Sequence, residues 1–179
     1  MQILSISTSS NICSAAILED NNILKQININ NAKTHSENLM PIIKQVLDET
    51  NLFLSDIDYL ACDIGPGSFT GIRIGIASIK ALAEISNVPI CAVSSLEGLA
   101  SLVNINSGLI VSLIDARNDQ AYCGIFHNDY SKESNFIADS IDNIIKILKD
   151  KRWKFNVCRQ CKHFTSSKIE TSLPYFCFF

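Results

Sequence analysis

The sequence predicts an α/β fold: a mixed sheet covered by helices, followed by a second, smaller lobe of similar pattern. Three observations predict it. Three short strands open the chain as a tight meander. A glycine-rich turn then joins a strand to a long apolar helix, and a fresh hairpin pattern begins near residue 105. The order β-β-β-α-β-α-β-α up to residue 103 suits a sheet with helices packed on it.

The chain has 179 residues, 47% of them hydrophobic and 18% charged, enough for one good-sized domain or two small lobes. Net charge is −3 with pI near 5.6, and no dense basic stripe occurs. If nucleic acid is engaged, another chain is expected to supply most phosphate contacts. No basic leader precedes an apolar run at Met1, as a secretory signal requires, and no apolar run approaches a membrane span. Seven cysteines is an odd number, and Cys13, Cys62, Cys91 and Cys123 sit in apolar segments. They read as small core residues in a reducing cytoplasm.

Taken in order, Ile3 to Thr8, Ile12 to Leu18 and Asn22 to Ile29 read as strands. Ser9-Ser10-Asn11 and Glu19-Asp20-Asn21 supply the turns between them. Thr34-His35-Ser36-Glu37 has capping-box spacing, and the helix it opens carries Leu39, Ile43, Val46 and Leu47 on one face. Pro41 is expected to kink that helix or delay its start. Asp58 to Asp63 is a strand. Gly65-Pro66-Gly67-Ser68-Phe69-Thr70-Gly71 then turns the chain, with Ser68 or Thr70 as cap, into a helix running to about Ile85. Pro89 to Val93 is a strand and Ser95 to Val103 a helix. Leu109 to Ile114 and Gln120 to His127 form the new hairpin, and Ile141 to Lys149 is the last helix.

The long helix carries Gly71, Gly75 and Ser78 on one stripe. An interior glycine costs a helix about 1 kcal/mol relative to alanine, so something must lie close against it. The expectation is a docking surface for a second chain, which a leucine at Gly75 would block without unfolding the protein.

These segments resemble the TsaB family, the bacterial partner of the TsaD transferase in making threonylcarbamoyladenosine on tRNA. The likeness covers about residues 1 to 150. It rests on Gly65 to Gly75, Thr34-His35-Ser36-Glu37, Val93-Ser94-Ser95-Leu96-Glu97-Gly98-Leu99 and Asp115-Ala116-Arg117-Asn118-Asp119-Gln120-Ala121-Tyr122. It implies an actin-like ATPase (ribonuclease-H-like) fold, with a five-stranded mixed sheet in the first lobe and a truncated second lobe. It also implies a pairing surface on the first two helices. The expected interface residues are His35, Leu39, Ile43, Ser68, Phe69, Gly71, Ile72, Gly75 and Ser78. Ser7, Thr8, Gly67 and Asp115 are the expected nucleotide-proximal residues.

Each chemical reading has a plainer rival. The glycine turn lacks the Gly-Lys-Ser/Thr of a Walker loop, so tight packing is favoured over phosphate binding. Actin-like ATPases end their first strand in Asp-Thr-Ser, whereas this chain has Ser7-Thr8-Ser9, and a serine is a weak partner for hydrated magnesium. Catalytic TsaD-like relatives carry two metal-binding histidines where this chain has Ser95 and Leu99. No catalytic residue, metal ligand or intrinsic cofactor is therefore expected, with ATP or ADP confined to an interface of the complex. His35 reads as a cap or interface residue, Asp115 and Arg117 as an ion pair, and Ser94-Ser95 as a helix cap. Cys158-Arg159-Gln160-Cys161 with His163 lacks the second ligand pair of a zinc site.

Three segments follow: residues 1–104 as the first lobe, 105–150 as a partial second lobe, and 151–179 as a divergent tail. Shifting the frame within the Arg152 codon permits Phe-Val-Gly-Asn-Ala, so the tail is expected to be an out-of-frame translation. The function expected is a cytoplasmic, non-catalytic subunit that binds a TsaD-like transferase. Its other expected associations are a TsaE-like ATPase, tRNA only indirectly, a second copy of itself, and no membrane. The alternatives are a stand-alone actin-like ATPase, an M22-type metallopeptidase, and a truncated product without function.

Overall fold

Alternation of apolar and small polar residues sets the first sheet. In the computed structural model, which describes residues 1–31, 34–150 and 155–160, β1 (Gln2–Ser7) buries Leu4 and Ile6. β2 (Cys13–Glu19) buries Cys13, Ala15 and Ile17, and β3 (Asn22–Ile29) turns Ile27 and Ile29 to the same core. This period of two places one face of each strand against the helices. β1 and β2 pair antiparallel from Gln2 opposite Glu19 to Ser7 opposite Ser14. β4 (Tyr59–Asp63) lies parallel to β1, and β5 (Ile90–Val93) parallel to β4. The order is β3-β2-β1-β4-β5.

Two helices cover this sheet. α1 (His35–Thr50) starts where the Glu37 carboxylate accepts the Thr34 backbone N–H at 2.9 Å and the Thr34 hydroxyl at 2.8 Å. These bonds form one arm of the expected capping box. It runs unbroken through Pro41 and ends at Asn51 in the left-handed region. α2 (Phe69–Ser86) also ends on a left-handed asparagine, Asn87. Leu39, Ile42, Ile43 and Val46 of α1 and Ile79 of α2 close one core with Leu4, Ile6, Ile17 and Leu60. Burying such a side chain is worth about 1.5–3 kcal/mol, so this cluster anchors both helices.

The chain divides between Ser94 and Ser95, ten residues before the expected boundary. The helix that follows, α3 (Ser95–Ala100), belongs to the second unit because Leu96, Ala100 and nearby Val103 pack with Ile110, Ile114, Phe126 and Cys158. In that unit β6 (Leu109–Asp115), β7 (Gln120–Phe126), β8 (Ile137–Ser140) and β9 (Phe155–Gln160) form a sheet in the order β8-β7-β6-β9. α4 (Ile141–Asp150) covers the face opposite α3 through Ile141, Ile144, Ile145 and Leu148. The order repeats β3-β2-β1-β4 of the first unit, with α4 in the chain position of α1. The expected similarity of the two lobes is therefore seen strand by strand.

β8 and β9 escaped the sequence reading. β8 has four residues and only Ile137 facing the core. β9 buries adjacent Val157 and Cys158 in different clusters, so it is covered on both faces and shows no alternation. It pairs parallel to β6 inside the segment expected to be divergent. The remainder of that tail, 151–154 and 161–179, lies outside the described residues, and so does any test there of a shifted frame. Cys91 is a further correction: β5 is an edge strand with all four residues exposed, so this cysteine is not in the core.

The glycine stripe of α2 faces inward. Gly71 and Gly75 are buried. A Cβ at Gly71 would strike the Thr8 carbonyl oxygen, and one at Gly75 would lie 2.5 Å from Thr8 Oγ1. The missing side chains let α2 meet the end of β1, so a leucine at Gly75 would break this unit itself. By contrast, a Cβ on Gly98 in α3 meets nothing within 4 Å. Gly71→Ala is expected to destabilise the protein by about 2–3 kcal/mol through overpacking. Gly98→Ala should stabilise it by up to about 1 kcal/mol. Urea melts of both variants check the pair; equal effects would contradict the packing.

Candidate functional site

The glycine turn and the end of β1 form a clasp. Gly65 takes φ +92°, the left-handed region where a side chain is disfavoured. Its N–H donates to Asp63 Oδ1 at 2.8 Å. The Ser68 N–H donates to the Ser9 carbonyl at 2.7 Å, and Ser68 Oγ caps α2 by accepting the Gly71 N–H at 3.2 Å. At the end of β1 Ser7 Oγ donates to Asp63 Oδ2 at 2.9 Å, and just beyond it Ser9 Oγ donates to the same oxygen and Thr8 Oγ1 donates to the Gly71 carbonyl at 2.8 Å. A phosphate at a helix start needs free backbone amides. Here the amides of Gly65, Ser68 and Gly71 already have acceptors within the chain.

Of the residues expected at an interface, the structure leaves Ser68 and Phe69 exposed and Ile72 and Ser78 half-buried. Leu39 and Ile43, 1% and 2% exposed, are core residues, and Gly71 and Gly75 are sealed against Thr8. These four present no outer face, because α1 turns its apolar side to the sheet and the glycines admit β1. His35 holds α1 to the β1–β2 turn through a hydrogen bond between Nε2 and the Ser10 carbonyl at 2.9 Å. Ser7, Thr8 and Gly67 do come together, in the clasp. Asp115 lies in the other unit, where Oδ1 accepts the Arg117 backbone N–H at 2.7 Å. That hairpin holds Arg117, Asn118 and Asp119 at φ 66°, 50° and 57°, and its Asp119 carbonyl accepts the first N–H of α4 at 2.9 Å. Leu99, at the expected ligand position, packs on the α3 cluster.

The sequence reading missed two features. Asp63 is one, since its role requires knowing that β4 lies beside β1. The other is the extent of the outer face of α2, where Arg73, Ala77 and Ala81 join the expected Phe69, all four exposed. Phe69 is 68% exposed, and the Arg73 guanidinium stacks 3.8 Å over its ring. These residues recur every four positions, as the glycines do, but are offset by two residues. At about 100° per residue that offset places them on the far side of the helix. Separately, a groove between α1 and α2 is lined by Met40, Ile43, Leu47, Phe53 and Leu82.

Burial pushes the Cys123 thiol up to about 12, and burial likewise raises Cys13, Cys62 and Cys158. Among the described residues no group of three or more metal-ligating side chains converges. No helix among them is long and apolar enough to cross a membrane.

These features define a class, an α/β protein on the actin-like ATPase plan whose glycine turn is used in internal packing. A Bacteroides thetaiotaomicron protein of actin-like ATPase fold and unknown function aligns with TM-score 0.53 and 11% identity over 99% of this chain and 90% of its own, a likeness of fold. An uncharacterized Pseudomonas aeruginosa protein with similarity to peptidase YEAZ aligns with TM-score 0.77 and 27% identity, over 87% of this chain and 74% of that one. The family model described as "TsaD: tRNA N6-adenosine threonylcarbamoyltransferase" matches residues 22–175. The tRNA threonylcarbamoyladenosine biosynthesis protein TsaB of Bacillus subtilis (strain 168) is 32% identical over 154 residues, covering 84% of this chain and 67% of that protein. The TsaB of Escherichia coli (strain K12) is 32% identical over 131 residues, 72% of this chain and 56% of that protein. The chain belongs to the TsaB family. It spans between about half and two-thirds of the length of these two relatives.

Thiol exposure gives a direct check on both sheets. Cys91 is exposed, whereas Cys13, Cys62, Cys123 and Cys158 are buried, and a raised pKa leaves little thiolate to react. Among the five described cysteines, iodoacetamide at pH 8, followed by mass mapping of the native protein, should alkylate Cys91 first and leave Cys123 unmodified. Rapid labelling of Cys123 would contradict the second sheet.

Proposed function

We propose that this chain is a non-catalytic, cytoplasmic subunit of the apparatus that forms N6-threonylcarbamoyladenosine at position 37 of tRNA. It pairs with a TsaD-like transferase through the outer face of α2. The observation that carries this reading is the clasp. The turn that resembles a phosphate loop is occupied by Asp63 and Ser9, and the side of α2 away from it offers Phe69, Arg73, Ala77 and Ala81. Ser7 stands where actin-like ATPases carry an acid and Leu99 where TsaD-like transferases carry a metal-binding histidine, which supports leaving the transfer step to the partner. The chain's part is then to hold the transferase in a working arrangement.

Small residues beside an exposed aromatic and an arginine make a good pairing face. Ala77 and Ala81 permit close helix approach, and aromatic and arginine side chains dominate interface energetics. Without its partner the same face covers itself by self-association, since an exposed apolar patch seeks burial. A TsaE-like ATPase joins the complex, and tRNA is contacted mainly by the other chains. ATP or ADP lies at an interface of the complex.

Co-expression with the organism's TsaD-like protein, followed by light scattering and titration, tests the reading. Phe69→Ala and Arg73→Glu should each weaken pairing by about tenfold or more, the loss typical of an interface anchor. Both side chains are exposed, so the melting temperature should stay within about 2 °C. Unchanged affinity in both variants would move the pairing face elsewhere.

A further inference from the structure

Asp63 joins three backbone segments at the clasp. It stands at the end of β4, half-buried, and its carboxylate divides its acceptor capacity. Oδ2 takes the hydroxyls of Ser7 at the end of β1 and of Ser9 in the turn after it, and Oδ1 takes the Gly65 N–H of the glycine turn. Charge-assisted bonds of this kind are about twice as strong as neutral ones. The chain of bonds continues from Ser9 to the Ser68 N–H and from Ser68 Oγ to the Gly71 N–H. A shift of the turn therefore becomes a shift of the first turn of α2, where Phe69 and Arg73 stack.

We propose that Asp63 is a positioning residue for the pairing face, fixing from β4 the turn that presents Phe69 and Arg73 to the partner. The inference rests on the pairing reading above for its consequence, but its geometry stands in the isolated chain. Removing the carboxylate leaves the Ser7 and Ser9 hydroxyls without their acceptor and releases Gly65. Adding a second carboxylate at position 7 sets two like charges within hydrogen-bond reach, which is unfavourable. Exchanging the two restores one acid and one hydroxyl across the same gap. The two sites must therefore be strongly non-additive, as contacting residues are.

The test compares the full-length wild-type chain with Asp63→Ser, Ser7→Asp, the double exchange, and Ile79→Val as a destabilised control away from the clasp. Amide exchange by NMR reads the turn, and titration with the TsaD-like protein reads pairing. Asp63→Ser should speed exchange at Gly65 and Ser68 by about tenfold with the middle of α2 unchanged, a local opening. It should also weaken pairing by about tenfold, and Ser7→Asp should weaken it similarly. The double exchange should return both readouts to within about threefold of wild type. Ile79→Val should pair like wild type. The proposal is overturned if exchange at Gly65 and Ser68 is unaltered in Asp63→Ser, or if the double exchange is no better than the single variants. It is equally overturned if Ile79→Val weakens pairing as much as Asp63→Ser does. A wild-type chain that fails to pair overturns the pairing reading alone, and the exchange arm still decides whether Asp63 sets the turn.

Discussion

The distance at which α2 can approach the end of β1 constrains the rest of the first unit. Gly71 sits over the Thr8 carbonyl and Gly75 over the Thr8 hydroxyl, and the hydroxyl answers by donating to the Gly71 carbonyl. Each interior glycine costs about 1 kcal/mol of helix propensity. The burial of Ile79 against Leu4, Ile6 and Leu60 is larger and becomes available only at that short distance. With α2 so placed, the Gly65–Ser68 turn must close onto Ser9, and Asp63 supplies the acceptor that holds it there. The outer side of α2 follows from the inner one: once the glycines are fixed inward, Phe69, Arg73, Ala77 and Ala81 are fixed outward.

This geometry changes what the glycine-rich segment means. A turn with free amides at a helix start invites an anion, whereas here the Gly65, Ser68 and Gly71 amides are bonded within the chain, that of Gly65 to the Asp63 carboxylate. On the proposed pairing, the surface that matters is a helix face with an arginine stacked on a phenylalanine. The TsaB relatives named for tRNA threonylcarbamoyladenosine biosynthesis give that surface its context.

Much of the fold was legible because its signals are local. The turns at 9–11 and 19–21 marked β1, β2 and β3, the Thr34–Glu37 spacing marked the start of α1, and Ser68, one of two candidates with Thr70, proved the cap of α2. The reading went wrong where a residue's meaning depends on what lies across from it. Gly71 and Gly75 announce a close neighbour but not whether it is another chain or the protein's own first strand. Leu39 and Ile43 form an apolar stripe whether they meet a partner or the sheet beneath. Asp63 gains a role only from the parallel pairing of β1 with β4, and Val157 and Cys158 read as irregular because β9 is covered on both faces. The boundary at Ser94 was hidden for the same reason, since α3 is assigned by the β6–β7 surface that it covers.

The central claim is that the outer side of α2 meets a partner while its glycine side stays within the fold. The most direct measurement is the alkylation rate of an Ala77→Cys variant with and without saturating TsaD-like protein, using Cys91 on exposed β5 as internal reference. The account predicts that labelling at position 77 falls by about tenfold or more in the complex, as an interface core excludes solvent, while Cys91 keeps its rate. Complex formation with labelling at 77 undiminished would contradict it.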